Sequence, residues 1–90
     1  MTREEIVNKV RDFVVTDLLK NPGYPLAEDE PLFSSGTIDS FAIAQIGVFI
    51  EVEFDLYIPD PDLTVENMDT VGQIADRILR ELSARQDLQA

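Results

Sequence analysis

The fold is decided by the long apolar run of residues 40–54, which reads SFAIAQIGVFIEVEF. Apolar side chains recur in it at mostly helical steps, at Phe41, Ile43, Ile46, Ile50 and Phe54. Asp39 or Ser40 is placed to cap the start of such a helix. Residues 50–56 also alternate strictly between apolar and acidic, which would suit a half-buried strand. Because no partner strand is evident elsewhere, the pattern favours a helix.

A second helix is predicted before this run. Thr2 and Glu5 have the spacing of a capping box, in which hydroxyl and carboxylate each satisfy a free backbone N–H. One apolar stripe follows at steps of three and four, through Ile6, Val10, Phe13, Val14 and Leu18. The helix should end near Lys20, because proline and glycine dominate residues 21–25.

The last helix has the clearest apolar stripe in the chain. Thr70 and Gln73 repeat the capping-box spacing. The stripe comprises Val71, Ile74, Ala75, Ile78, Leu79 and Leu82. This helix is expected to end near Arg85 and to leave a frayed tail at residues 86–90. One short helical turn is expected between Thr64 and Met68.

The long connection between the first helix and the apolar run should be ordered. Loops of this length are uncommon in compact domains unless they are pinned or functional. Leu32, Phe33 and Ile38 are the candidate apolar pins. Three main amphipathic helices and one short helix then predict a single all-α domain over residues 1–90, a small antiparallel bundle.

Composition excludes several classes of function. The chain has 90 residues, no cysteine, no histidine and a formal net charge of −11. Without these side chains there is no disulfide, thiolate zinc site or Ser-His triad, so we expect a protein that is not an enzyme and holds no metal. The negative charge disfavours nucleic acids and anionic lipids and favours a monomer with basic protein partners.

The chain should also be cytoplasmic. Residues 1–5 lack the apolar run of a signal peptide. No window approaches the roughly 18 uninterrupted apolar residues of a membrane span.

Ser40 is the main candidate for chemistry. It lies after Gly36 and beside Asp39, at the first turn of the predicted apolar helix, where its hydroxyl should be exposed. Unpaired N–H groups and the positive end of the helix dipole would favour a phosphodiester on that oxygen. Nothing nearby in the sequence can activate Ser40 as a nucleophile, so another enzyme would have to modify it. The simpler interpretation is that Asp39 and Ser40 are only helix caps.

Six features in this order resemble the acyl carrier protein family. They are Leu32-Phe33, Gly36, Asp39-Ser40-Phe41, Phe54, Ile58-Pro59 and Thr70-Val71. The resemblance spans nearly the whole chain and implies an acyl carrier protein-like helical fold. It also implies that Ser40 carries 4′-phosphopantetheine from coenzyme A, with Asp39 in the recognition site of the phosphopantetheinyl transferase.

The resemblance further implies the partners. An acyl- or aminoacyl-loading ligase would attach the cargo as a thioester, and downstream transferases or synthases would receive it. Family members present the second helix to basic patches, which assigns partner binding here to Phe41, Gln45, Val48, Glu51 and Asp55, with Asp39 and Glu53 as further acids. The arm would supply the thiol that the cysteine-free chain lacks.

Two departures from the pattern of fatty-acid carriers bear on the identity of the cargo. Ala42 and Gln45 occupy positions that are often acidic in fatty-acid carriers. The segment 59–70 is longer than in those carriers, and it is similar to D-alanyl carrier proteins and to stand-alone carriers of specialised pathways. Fatty acyl, polyketide and aminoacyl cargoes all remain open. Gly47 indicates either a close helix contact or the wall of a cargo cavity.

Two other interpretations of the sequence lead to different functions. An unmodified acidic interaction module would dock a basic partner through the second helix without any prosthetic group. A calcium loop is suggested by the alternation of Asp60, Asp62, Thr64 and Glu66, but Val65 and Val71 stand where glycine and glutamate are needed. The calcium interpretation therefore fails.

Overall fold

Four α-helices account for most of the chain in the computed structural model, which describes residues 1–89 and the side chains of residues 1–85. They are α1, Arg3–Phe13; α2, Ala42–Phe54; α3, Val65–Met68; and α4, Val71–Gln89. A π-helical turn, Val14–Leu18, continues α1, and a 3-10 turn, Asp60–Asp62, precedes α3. The described residues form no strand, so the all-α prediction of three main helices and one short helix is confirmed.

The start of α1 confirms the predicted capping box. The Thr2 hydroxyl accepts a hydrogen bond from the Glu5 N–H at 3.2 Å, and the Glu5 carboxylate accepts one from the Thr2 N–H at 3.0 Å. The helix then widens into the π-helical turn, where the Leu19 N–H donates to the Val14 carbonyl at 2.8 Å. Lys20 ends it with a left-handed φ of 57°. The predicted end is confirmed, although the final turn is not α-helical.

Buried side chains from every α-helix and from the long connection form the core. Ile6, Ile50, Ile74 and Leu32 have no exposed surface. Each such side chain contributes on the order of 1.5–3 kcal/mol of hydrophobic stabilisation. The three predicted pins of the connection, Leu32, Phe33 and Ile38, are all buried. No polar or charged residue is buried among those described.

The start of α4 confirms the second capping box. The Gln73 N–H donates to the Thr70 hydroxyl at 3.0 Å, and the Thr70 N–H donates to the Gln73 side-chain carbonyl at 3.1 Å. The helix continues past the predicted end near Arg85, through Gln89. The prediction that residues 86–89 fray is therefore wrong for their backbone, which is helical, and Ala90 lies outside the described residues.

Charged side chains join elements that are distant in sequence. Arg3 pairs with Glu28 in the long connection and with Asp76 in α4. Arg85 of α4 donates to the Asp55 and Phe54 carbonyls at 2.7 and 3.3 Å, and so caps the C-terminus of α2.

In the part of the chain that the structure describes, no helix combines the length and apolar character needed to cross a bilayer.

Candidate functional site: the Ser40 turn and the outer face of α2

The chain reaches Ser40 through a turn that requires glycine. Gly36 has a φ of +82°, a conformation that side chains rarely adopt, and nothing lies within 4 Å of the position a Cβ would take. Its N–H donates to the Phe33 carbonyl at 3.0 Å, and the Ile38 N–H donates to the Leu32 carbonyl at 2.9 Å. The turn is therefore closed by backbone hydrogen bonds just before Ser40.

Asp39, and not Ser40, accepts the hydrogen bonds of the turn that leads into α2, and no side chain caps the helix itself. The Asp39 carboxylate accepts a hydrogen bond from the Phe41 N–H at 2.9 Å, and its carbonyl accepts one from the Ala42 N–H at 2.9 Å. The helix begins at Ala42, slightly later than the predicted Ser40. Ser40 is exposed, as predicted, and no hydrogen bond to its hydroxyl is found within residues 1–85. The Ser40 hydroxyl therefore takes no part in capping.

Asp69 anchors the connection that leads to Ser40. Its carboxylate accepts hydrogen bonds from the Phe33 N–H at 2.7 Å, the Ser34 N–H at 3.0 Å and the Ser34 hydroxyl at 2.5 Å. Its backbone carbonyl accepts one from the Leu32 N–H at 2.7 Å. Partial burial raises the pKa of Asp69, but the hydrogen bonds from Ser34, Phe33 and Leu32 together outweigh this effect and leave that pKa below its ordinary value.

Sequence reasoning missed this role of Asp69. The partners lie about 35 positions away in the chain, and no local pattern links them. The one sequence feature that could have indicated this role is the position of Asp69, at the C-terminal end of the predicted short helix and directly before the Thr70 cap.

The five residues assigned to partner binding all lie on the solvent side of the chain. Phe41 is 85% exposed and Val48 is 60% exposed, and Gln45, Glu51 and Asp55 are also exposed. Sequence analysis missed two further exposed apolar side chains, Val52 at 79% and Tyr57 at 68%. Helical spacing places Gln45, Val48 and Val52 along one face of α2, and Phe41 and Asp55 lie directly before and after the helix. Their part in binding a partner stays a prediction.

The acidic residues near this face differ in how far a neighbouring cationic side chain offsets their negative charge. Glu53 pairs with Lys9 of α1 at 2.9 Å, which offsets its charge. Asp55 is fully exposed and lies 3.8 Å from Arg85, so solvent screens that pair strongly. Asp62, an early position of the rejected calcium loop, pairs with Arg77 at 2.9 Å.

Two hollows flank the outer face of α2, and Ala44 and Val48 line both. The first, here called the α1-side groove, has a volume of about 500 Å³ and is completed by Phe13, Asp17, Gln45, Phe49, Val52 and Glu53. The second, here called the Gly47 pocket, has a volume of about 260 Å³ and is completed by Gly47, Glu51, Tyr57, Ile58, Asp60 and Leu63.

Gly47 is both a close contact and a pocket wall. A Cβ at this position would lie 2.9 Å from Cδ1 of Leu63, which is tighter than real contacts allow. The absence of a side chain at Gly47 therefore brings Leu63 against α2 and leaves the adjacent hollow open. The close contact is therefore confirmed, and use of the adjacent hollow by a cargo stays a prediction.

No protein-family model, curated protein or solved structure matches this chain.

Proposed function

We propose that the protein is an acyl carrier protein in which Ser40 is the attachment point of a 4′-phosphopantetheine arm. One observation carries the proposal: Ser40 is exposed at the entrance to α2 and takes no part in capping, while its neighbour Asp39 accepts the Phe41 N–H of the preceding turn. The resemblance of the sequence to that family, from Leu32-Phe33 to Thr70-Val71, supports the same conclusion.

The residues around Ser40 fit such an arm. The Asp39 carboxylate is engaged with the Phe41 N–H, and the space around Gly36 is open. The positive end of the α2 dipole favours a phosphodiester close to the helix start, which offsets the nearby Asp39 charge. A group attached at Ser40 Oγ would therefore extend into solvent without displacing a hydrogen bond of the described residues.

Attachment would be a phosphoryl transfer from coenzyme A catalysed by a partner transferase. The Ser40 oxygen forms a bond to the phosphorus that bears pantetheine, the bond from that phosphorus to the bridging oxygen breaks, and adenosine 3′,5′-bisphosphate leaves. The hydroxyl proton passes to a base of the transferase, because this chain has no histidine. When bound, the arm supplies the thiol for thioester formation that the cysteine-free chain lacks.

The chain itself would position the cargo and its partners. Ala44, four residues after Ser40 in the sequence, lines the Gly47 pocket, where an apolar cargo group would rest. Partner enzymes with basic surfaces, including a loading ligase, would approach a chain of net charge −11. Tethering raises the effective concentration of the cargo at each partner without catalysis by the carrier.

The test is the intact mass of the full chain after incubation with coenzyme A, magnesium and a broad-specificity phosphopantetheinyl transferase. We expect the parent to gain the mass of one phosphopantetheine and Ser40→Ala to gain none. Ser83→Ala, which removes another exposed serine, is the matched control and should be modified like the parent. A folded parent protein that gains no mass contradicts the proposal.

The second candidate is an unmodified acidic interaction module. It is favoured by the exposure of Val48 and Val52 on α2 and of Phe41 directly before it, which does not depend on any prosthetic group. Such a module would bind its partner equally well after Ser40→Ala, whereas a carrier would lose all activity.

A further inference from the structure

Residues 32–38, here called the approach turn, lead the chain to Ser40 and are closed by local hydrogen bonds. The Ser35 hydroxyl donates to the Pro31 carbonyl at 2.6 Å and lies 2.8 Å from the Thr37 hydroxyl. These three residues are exposed. Because water competes for exposed polar groups, the local hydrogen bonds alone hold the approach turn only weakly.

Asp69 is the polar link between the approach turn and the helices. Among the described residues, every hydrogen bond that leaves segment 31–38 ends on Asp69. One oxygen of its carboxylate accepts the Phe33 and Ser34 N–H groups, and its backbone carbonyl accepts the Leu32 N–H. Asp69 lies between α3 and α4, so it ties the approach turn to the junction of these two helices.

The apolar side chains of the approach turn cannot replace this link. Leu32, Phe33 and Ile38 are buried, but hydrophobic burial has no preferred direction. Hydrogen bonds require a defined distance and angle, so the bonds to Asp69 set the orientation of the backbone at residues 32–34. Since α2 has no side-chain cap of its own, its entrance is held by the segment that precedes it.

We infer that Asp69 is a positioning residue for the modification of Ser40: by holding the approach turn, it presents Ser40 in the orientation that the phosphopantetheinyl transferase binds. The inference rests on the proposed function, because it concerns recognition by that transferase. No hydrogen bond joins Asp69 to Ser40 among the described residues. Asp69 therefore acts through the backbone of the approach turn and takes no part in the chemical step.

The expected kinetic effect follows from the population of the competent turn. A partner that binds one conformation has its apparent dissociation constant raised by the inverse of the fraction in that conformation. A competent fraction of about one tenth in Asp69→Ala raises the KM for the carrier about tenfold. The kcat should change less than about twofold, because the complex, once formed, contains Ser40 in its normal orientation.

The conservative substitution Asp69→Asn should rescue recognition. Its amide oxygen can accept the Phe33 and Ser34 N–H groups, and its amide N–H can donate to the Ser34 hydroxyl. The geometry of the link is then kept while its charge is lost. We expect a KM within about threefold of the parent value.

The test is the steady-state kinetics of phosphopantetheine transfer from coenzyme A to the full chain, followed by intact mass with the carrier as the varied substrate. Asp29→Ala removes an equal charge from an exposed position and should leave KM and kcat unchanged. Arg85→Gln removes a long-range contact at the C-terminal end of α2, so it controls for a general loss of stability and should also leave KM unchanged.

Amide hydrogen exchange examines the approach turn without any partner. The Ile38 N–H donates to a carbonyl within the turn and is not touched by Asp69. Relative to the Ile46 N–H of α2 in the same variant, it should exchange about tenfold faster in Asp69→Ala than in the parent. Arg85→Gln should leave this ratio unchanged.

Several outcomes would overturn the inference. They are an unchanged KM in Asp69→Ala, an equal rise of KM in Arg85→Gln, a fall of kcat alone, an unchanged exchange ratio at Ile38, and an Asp69→Asn variant as defective as Asp69→Ala. A parent chain that gains no phosphopantetheine overturns the proposed function and this inference with it. A parent that is modified, with a KM that Asp69→Ala does not raise, overturns the inference alone.

Discussion

Asp69 holds Ser34 with both oxygens of its carboxylate: one accepts the Ser34 N–H at 3.0 Å and the other accepts the Ser34 hydroxyl at 2.5 Å. The first of these oxygens also accepts the Phe33 N–H at 2.7 Å. One side chain between α3 and α4 thus fixes the connection that leads, through Gly36, to Ser40. The position of the candidate modification site depends on this long-range contact.

Replacing Asp69 with Ala should lower the free energy of unfolding by about 1–3 kcal/mol, because two backbone N–H groups and a hydroxyl lose their charged acceptor. Chemical denaturation followed by circular dichroism measures the change. Asp29→Ala removes the same charge from an exposed position and should change stability by less than about 0.5 kcal/mol. Equal effects of the two substitutions would show that the contact is not stabilising.

The contribution of Asp69 should also depend on pH. Its pKa in the folded chain is below the ordinary value, so its stabilisation is complete above the ordinary aspartate pKa and is lost as pH falls through the lowered folded pKa. The difference in unfolding free energy between the parent and Asp69→Asn should be constant near neutral pH and shrink in acid. A difference that grows as pH falls would contradict the lowered pKa.

Arg85→Gln should destabilise the chain by about 0.5–1.5 kcal/mol, because Arg85 caps the C-terminal carbonyls of α2. Arg80→Gln is the matched control, since Arg80 is an exposed arginine of the same helix and the substitution changes the net charge equally. Thermal unfolding of both variants at several salt concentrations separates the cap from general charge effects. Identical melting of the two variants would refute the cap.

Two substitutions at Gly47 separate helix propensity from pocket filling. Gly47→Ala should change stability by less than about 1 kcal/mol, since the gain in helix propensity is opposed by a shift of the Leu63 side-chain end. Gly47→Leu should cost about 1–3 kcal/mol, because it overfills the space beside Leu63. Thermal unfolding measures both. If Gly47→Leu were still loaded and delivered its cargo normally, the pocket would not be the cargo site.

Helix starts were predictable because their signals are local. Thr2 with Glu5 and Thr70 with Gln73 make the expected capping boxes, since each pair lies three residues apart. The π-helical turn at Val14–Leu18 was not predicted, because the apolar stripe of residues 6–18 is equally compatible with an α-helix. Residues 50–54 of the strand-like alternation are helical, and the described residues contain no strand with which that stretch could pair.

By itself, the sequence determined the helical class, the apolar stripes, the buried pins of the connection and the exposed serine at the entrance to α2. These depend on residue spacing and on the conformational preferences of proline and glycine. Only the tertiary structure decided that Asp39 and not Ser40 accepts the Phe41 N–H before α2, that Asp69 holds Ser34, that Arg85 caps the C-terminus of α2 and that Gly47 meets Leu63. The last three are contacts between distant parts of the chain, whose geometry is set only when the helices pack on a shared core.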